Sequence, residues 1–220
     1  MILNIYKPRG ITSFGVVKKI RKIVGEKKVG HGGTLDPFAE GVLIIGTGSD
    51  TKELKKITDT DKTYTTSIAL GKTTNTLDPE GDVIERKTIP RLSESKINNV
   101  LESFLGSSMQ KPPMFSAKKI GGIKLYELAR KNIIVDRKPT QITISDINLI
   151  NFNKTNIVFT VSCSKGTYIR VLGKEIAEKL GTVGYLKSLI RTRVGEYFID
   201  DSVSLDQFKL SWKSYARYKV

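Results

Sequence analysis

The stretch "GVLIIGTG", Gly41–Gly48, constrains the fold most. Four consecutive apolar residues, Val42 to Ile45, stand between glycines, and three of the four are β-branched. So short and branched a run reads as a buried strand. "KTYTTSIALG" (62–71) alternates polar and apolar residues and reads as another strand. "ILNIY" after Met1, Thr140–Ile150, Asn156–Cys163 and "VGYLKSLIRTRVGEY" (183–197) complete the strand set, the last preceded by a short helical turn. Thr12 or Ser13 caps a helix that turns Val16, Val17, Ile20, Ile23 and Val24 inward and Lys18, Lys19, Arg21 and Lys22 outward. Further helices are expected over Ser93–Phe104, from near Leu125, and through "IRVLGKEIAEKLG", which stops at Gly181. Strands and helices mix without a regular βαβ rhythm, so the class is α+β.

Charge narrows the partner. Against 22 acidic residues stand 37 Lys and Arg, a net charge of +15. Such an excess suits a polyanion, because each cation placed at a phosphate releases a counterion. The single cysteine, Cys163, excludes an internal disulfide and suits a reducing compartment. One histidine, His31, and one cysteine cannot make a zinc tetrad, so no metal is expected. The N-terminus lacks the charged start and long apolar region of a signal peptide, and no apolar run reaches membrane-spanning length. A soluble, cytoplasmic protein is expected.

Familiar nucleotide and hydrolase motifs fail. "GKTT" (71–74) ends like a phosphate-binding loop, but Thr66 occupies the position of its first glycine. "GHGGTL" begins like a dinucleotide fingerprint, but Leu35 replaces its final glycine. No serine sits in a nucleophile-elbow context. What remains is "VGHGGTLDPFAEGVL" (29–43), with Asp36 immediately before Pro37. Two readings stay open. Asp36 caps a helical turn that Pro37 begins, its oxygens consumed by nearby N–H groups, or it projects into a cleft as a reactive carboxylate.

The wider stretch "HGGTLDPFAEGVL" resembles the signature of the bacterial TruB-type tRNA pseudouridine synthases. Four more matches follow the family's pattern: "YKPRGITS", "KTYTTSIALGKTTNTLDPEGD", "PPMFSAKKIGGIKLYELAR" and "CSKGTYIRVLGKEIAEKLG". Together the matches cover nearly the whole chain. The resemblance implies a mixed, mainly antiparallel sheet flanked by helices, in a single catalytic domain over 1–220. It also implies an RNA-clasping loop at about 109–135. The C-terminal PUA domain that bacterial members often carry is not expected, since the chain ends about twenty residues past the last motif. It implies isomerisation of uridine 55 in the T-arm loop of tRNA, by a monomer and without a cofactor. Asp36 would be the nucleophile, Arg170 its ion-pair partner, and Tyr64 the ring stacked on the uracil. His31 would contact the flipped-out RNA, and Tyr168 and Leu189 would line the uridine pocket. Lys7, with Pro8, would form a wall near the site and count among RNA contacts with Lys111, Lys118, Lys119 and Lys124.

The chemistry suits a lone carboxylate. Pseudouridine formation breaks the bond from C1′ to N1, turns the base and rejoins it through C5. Nothing departs, so the second carboxylate a glycosidase typically uses is not needed. A guanidinium nearby keeps the carboxylate ionised. Extruding the uridine costs a few kcal/mol, offset by aromatic stacking and phosphate contacts. A non-catalytic tRNA-binding or tRNA-folding protein is the alternative, and a nucleoside hydrolase a third reading. Three departures from the family pattern stand out. Asn75 replaces a usual aspartate, Phe115 a frequent tyrosine, and Glu40 a small polar residue on what is expected to be an exposed turn.

Overall fold

A computed structural model of the chain describes residues 1–217, and their side chains as far as Trp212. The last three residues of the expected 1–220 domain lie outside the described residues. In chain order the elements are β1 (Ile2–Lys7), α1 (Ser13–Val24), β2 (Val29–Gly32), β3 (Glu40–Thr47), α2 (Leu54–Thr58), β4 (Lys62–Leu70), β5 (Lys72–Thr74) and β6 (Val83–Arg86). Then follow α3 (Glu94–Glu102), β7 (Gly106–Gln110), β8 (Lys119–Ile120), β9 (Ile123–Lys124), α4 (Leu125–Ala129), β10 (Thr140–Phe152) and β11 (Asn156–Cys163). The series ends with α5 (Ile169–Lys179), β12 (Gly184–Val194), β13 (Tyr197–Phe198) and α6 (Leu205–Arg217). The main sheet runs β1-β3-β12-β4-β11-β10-β7, with β2 also on β3 and β13 on β12. β3 and β12 pair in parallel, whereas β1/β3, β2/β3, β7/β10, β10/β11 and β12/β13 are antiparallel. The expected α+β class holds.

The chain divides into two compact units, one of Met1–Tyr64 with the residues from Leu189 on, the other of Thr65–Ser188. In the first, β3 is buried on both faces, as its apolar run requires. Leu43 and Ile45 meet Val16, Val17 and Ile20 of α1 and Phe208 of α6. Val42 and Ile44 meet Leu54 of α2 and Val194. Each such side chain contributes about 1.5–3 kcal/mol on burial. Thr12 caps α1 by accepting the Gly15 N–H, and Gly25 closes the helix in the left-handed region.

One edge of β3 carries β1 along residues 41–46. The other is shared: β2 pairs with residues 44–47 and β12 with Glu40 and Gly41. The loop from Gly33 to Ala39 leaves β2 where β12 takes over that edge. Gly41 makes the handover possible. Its φ is +103°, and an added Cβ would lie 2.3 Å from the Arg191 carbonyl oxygen.

In the second unit the β10/β11 pair and α3 enclose Ile97, Leu101, Ile142, Ile144, Phe159 and Val161. α5 lies close to its neighbours through Gly173 and Gly184, where a Cβ would come within 3 Å of Leu186 and of Ala177 respectively. After β4, β5 and β6 form a hairpin through the polar stretch that follows. Within the expected 109–135 loop, β8 and β9 pair across Gly121 and Gly122, both at positive φ. No helical turn precedes β12, whose approach is fixed by the Leu186 N–H donating to the Leu77 carbonyl. Among the described residues no helix is long and apolar enough to cross a membrane.

Candidate active site

Asp36 stands at the head of a turn closed by the Ala39 N–H on its carbonyl at 3.1 Å. Pro37 and Phe38 form a single turn that is not continued into a helix. The turn is gripped from several sides within the first unit. Ser13 Oγ donates to the Leu35 carbonyl at 2.9 Å and accepts the Leu35 N–H at 2.8 Å, both buried. The Gly10 N–H donates to the Pro37 carbonyl at 2.8 Å. Lys7 Nζ donates to the carbonyls of Pro8 (3.0 Å), Pro37 (3.3 Å) and Ala39 (2.6 Å). Leu35, Phe38 and Ala39 are buried around the half-buried Asp36. The "KPRGITS" segment therefore holds the backbone on both sides of the carboxylate.

Lys7 is corrected by the same geometry. Its side chain is fully buried and its ammonium lies among backbone carbonyls, so it faces no RNA. Burying a cation is tolerable only when its donors are satisfied, and here three carbonyl oxygens do that. Glu40 is likewise not on an exposed turn. It opens β3 and accepts the Tyr6 phenol at 3.0 Å. Burial, then that carboxylate, push the Tyr6 hydroxyl above its ordinary range.

Arg191, which sequence reasoning missed, holds the start of the loop. It is fully buried in β12. Nε donates to the Val42 carbonyl at 2.8 Å, Nη1 to Thr34 at 3.4 Å and Nη2 to Gly33 at 3.2 Å. The available signal was parity, since Arg191 is two residues from inward-facing Leu189 on the same strand. His31 lies on β2 beside this guanidinium. Desolvation first, then the Arg191 charge, lower its pKa below the ordinary histidine value. Its Nδ1 is buried without a hydrogen-bond partner among the described residues. Tyr64 and Leu189 are buried on β4 and β12.

In the second unit Arg170 opens α5 with its side chain almost fully buried. Nη1 donates to the Thr76 carbonyl at 2.7 Å and lies 3.4 Å from an Asp78 carboxylate oxygen, while Nη2 donates to the Phe115 carbonyl at 2.7 Å. The other Asp78 oxygen accepts from Thr76 Oγ1 at 2.5 Å and from the Glu80 N–H at 3.0 Å. Such a network keeps a buried ion pair tolerable, because its lone pairs and donors find partners. Asn75 Oδ1 accepts the Asp82 N–H at 3.1 Å. The Phe115 ring has no hydroxyl, but its backbone carbonyl still serves Arg170. Tyr168 is fixed through its main chain by Gln110, which donates to its carbonyl at 3.2 Å and accepts its N–H at 2.8 Å.

The basic residues of the 109–135 segment divide. Lys111 is paired with Asp136 at 2.9 Å, an exposed contact that holds the Asp136 carboxyl below its ordinary range. Lys118 precedes the β8/β9 hairpin, which carries Lys119 and Lys124. Lys124 Nζ lies 3.3 Å from the Tyr126 hydroxyl. Among the described residues no group of three His, Cys, Asp or Glu side chains is placed to hold a metal.

A crystal structure of a Cbf5–Nop10–Gar1 complex is similar over 100% of this chain and 56% of that chain, with a TM-score of 0.78 and 26% identity. An H/ACA RNP bound to a substrate RNA containing 2′-deoxyuridine shares the fold, with a TM-score of 0.73 and 24% identity over 100% of this chain and 55% of that one. This chain thus spans little more than half the length of those two. Residues 21–169 match the N-terminal domain of the TruB family pseudouridylate synthases. The tRNA pseudouridine synthase B of Caldanaerobacter subterraneus subsp. tengcongensis is 44% identical over 209 residues, 94% of this chain and 73% of that protein. That of Clostridium tetani is 44% identical over 205 residues, 93% of this chain and 71% of that protein. The chain belongs to the TruB family of pseudouridylate synthases.

Proposed function

We propose that the protein isomerises uridine 55 in the T-arm loop of tRNA to pseudouridine, as a single catalytic domain with Asp36 as its nucleophile. The observation that carries this reading is the fixed backbone around Asp36. Lys7, Gly10 and Ser13 hold residues 35–39, and Arg191 holds residues 33–34. A nucleophile must be presented in one geometry, and so thoroughly bonded a turn presents one. Relatives named tRNA pseudouridine synthase B support tRNA as the substrate.

The remaining roles follow the family resemblance. Asp36 attacks the everted nucleotide, at C1′ or at the pyrimidine ring, and the C1′–N1 bond breaks. The base turns and C5 bonds to C1′, the bond to Asp36 is broken so that the carboxylate is regenerated, the C5 proton is lost and N1 takes up a proton, so the net change is an isomerisation. Arg170 is assigned as the ion-pair partner of Asp36; its own burial beside Asp78 supports a preorganised guanidinium. Tyr64 is assigned to stack on the uracil, and Tyr168 and Leu189 to line its pocket. Neutral His31 contacts the everted RNA, and Lys118, Lys119 and Lys124 grip the displaced strand.

Incubating an unmodified tRNA transcript with the protein, without added metal or nucleotide, tests the reading. The parent chain is expected to form pseudouridine at position 55. Asp36→Asn is expected to form none while binding the transcript within about threefold of the parent. Modification by the variant at the parent rate would refute Asp36 as the nucleophile.

A further inference from the structure

Helices α1 and α6 pack against one another in the first unit and leave a groove of about 430 Å³. Ile23, Leu205 and Trp212 give it an apolar lining, and the Trp212 ring stacks on Phe208 with centroids 6.0 Å apart. Lys19, Lys22 and Lys209 also line it, all exposed and none in an ion pair with a described carboxylate. Asp206 is the one acidic residue in the lining. Three ammonium groups against one carboxylate, around an indole, match the two surfaces of a single-stranded nucleic acid. Phosphates meet the cations and a base meets the aromatic ring.

The groove is also joined to the loop that bears Asp36. Ser13, the first residue of α1, holds Leu35. Lys19 and Lys22 follow six and nine residues later, about 9–14 Å along the helix axis at roughly 1.5 Å per residue. A strand whose nucleotide sits at Asp36 can reach that distance with its neighbouring nucleotides. We propose that the groove between α1 and α6 is a second RNA contact, holding an unpaired stretch of the substrate near its reacting uridine. Phosphates lie on Lys19, Lys22 and Lys209, and a base lies against Trp212. This assignment rests on the function proposed above.

Trp212 is the chain's single tryptophan, so its emission reports on this groove alone. The full chain is titrated with an unmodified tRNA transcript while emission is followed. In parallel, the affinity of a Lys19→Ala, Lys22→Ala, Lys209→Ala triple variant is measured across a salt series. The expected result is a saturable emission change that tracks binding and an affinity loss of about tenfold or more in the variant. The slope of log K against log salt should become shallower by about 2, some 0.7 for each single-strand phosphate that the variant leaves unneutralised. Silent emission at saturating RNA overturns the proposal, and so does an unchanged salt slope. Silent emission is also the outcome if the groove instead receives an acidic protein or a further segment of polypeptide. Pseudouridine is assayed in the same parent samples. Its formation with a silent Trp212 refutes the groove alone, whereas an emission change without pseudouridine refutes the proposed reaction and leaves the groove as an RNA site.

Discussion

Removing one buried hydroxyl should loosen the loop that bears Asp36. Ser13 Oγ is the hydrogen-bond partner of both the N–H and the carbonyl of Leu35, the residue before Asp36. Ser13→Ala leaves both main-chain groups buried without that partner and supplies nothing in its place. Each unsatisfied buried group costs about 1–3 kcal/mol, and the second lone pair of the carbonyl places the sum at about 2–4 kcal/mol. Thr12→Ala removes only the exposed cap of the same helix and should cost about 1 kcal/mol. Urea denaturation of both variants gives the comparison, read as a lower midpoint at unchanged m. For a chain of this size the Ser13 variant should melt about 5–15 °C lower. Well below that transition its single-turnover rate of pseudouridine formation should fall while RNA affinity holds. A Ser13→Ala cost no greater than that of Thr12→Ala would refute the reasoning, because the two bonds to Leu35 would then contribute nothing beyond a surface cap.

Two other predictions follow from the same unit. His31 has a folded pKa below its unfolded value, so the unfolded chain binds the extra proton first as pH falls, and stability declines below about pH 6.5. An NMR titration of this sole histidine should show a midpoint under 6.5 that rises in Arg191→Met; a midpoint at or above 6.5 in the parent contradicts the burial argument. Gly41→Ala would force a Cβ to within 2.3 Å of the Arg191 carbonyl oxygen at a φ of +103°. Strain and overpacking together should cost about 3–5 kcal/mol, read by thermal or urea unfolding, and a loss under 1 kcal/mol would show that β3 and β12 separate easily.

Much of the fold was legible because its signals are local. Thr12 as a cap, the inward face of α1, the both-sided burial of Val42–Ile45 and the stop at Gly181 all follow from spacing and backbone chemistry. β7, "GSSMQ", carries no alternating apolar pattern, and its pairing with residues 140–144 is decided by a partner far along the chain. α6 was missed although its Leu205, Phe208 and Trp212 are spaced for one helical face, because it lies beyond the last family motif. At the site, Asp36 was visible as a motif, but what holds it was not. An Asp-Pro pair serves helix starts and tight turns equally well, and only Leu35, Phe38 and Ala39 packing inward decides for the turn. Lys7 and Arg191 are ordinary basic residues until their carbonyl partners, up to 158 positions away, are known.

That long reach has a consequence for how the protein is made. Asp36 leaves the ribosome early, yet the strand that braces its loop through Gly33 and Gly41 lies some 150 residues later. A nascent chain therefore carries Asp36 on an unsupported loop until translation has passed Arg191, and fragments ending before that residue are expected to form no pseudouridine however well their first helix forms.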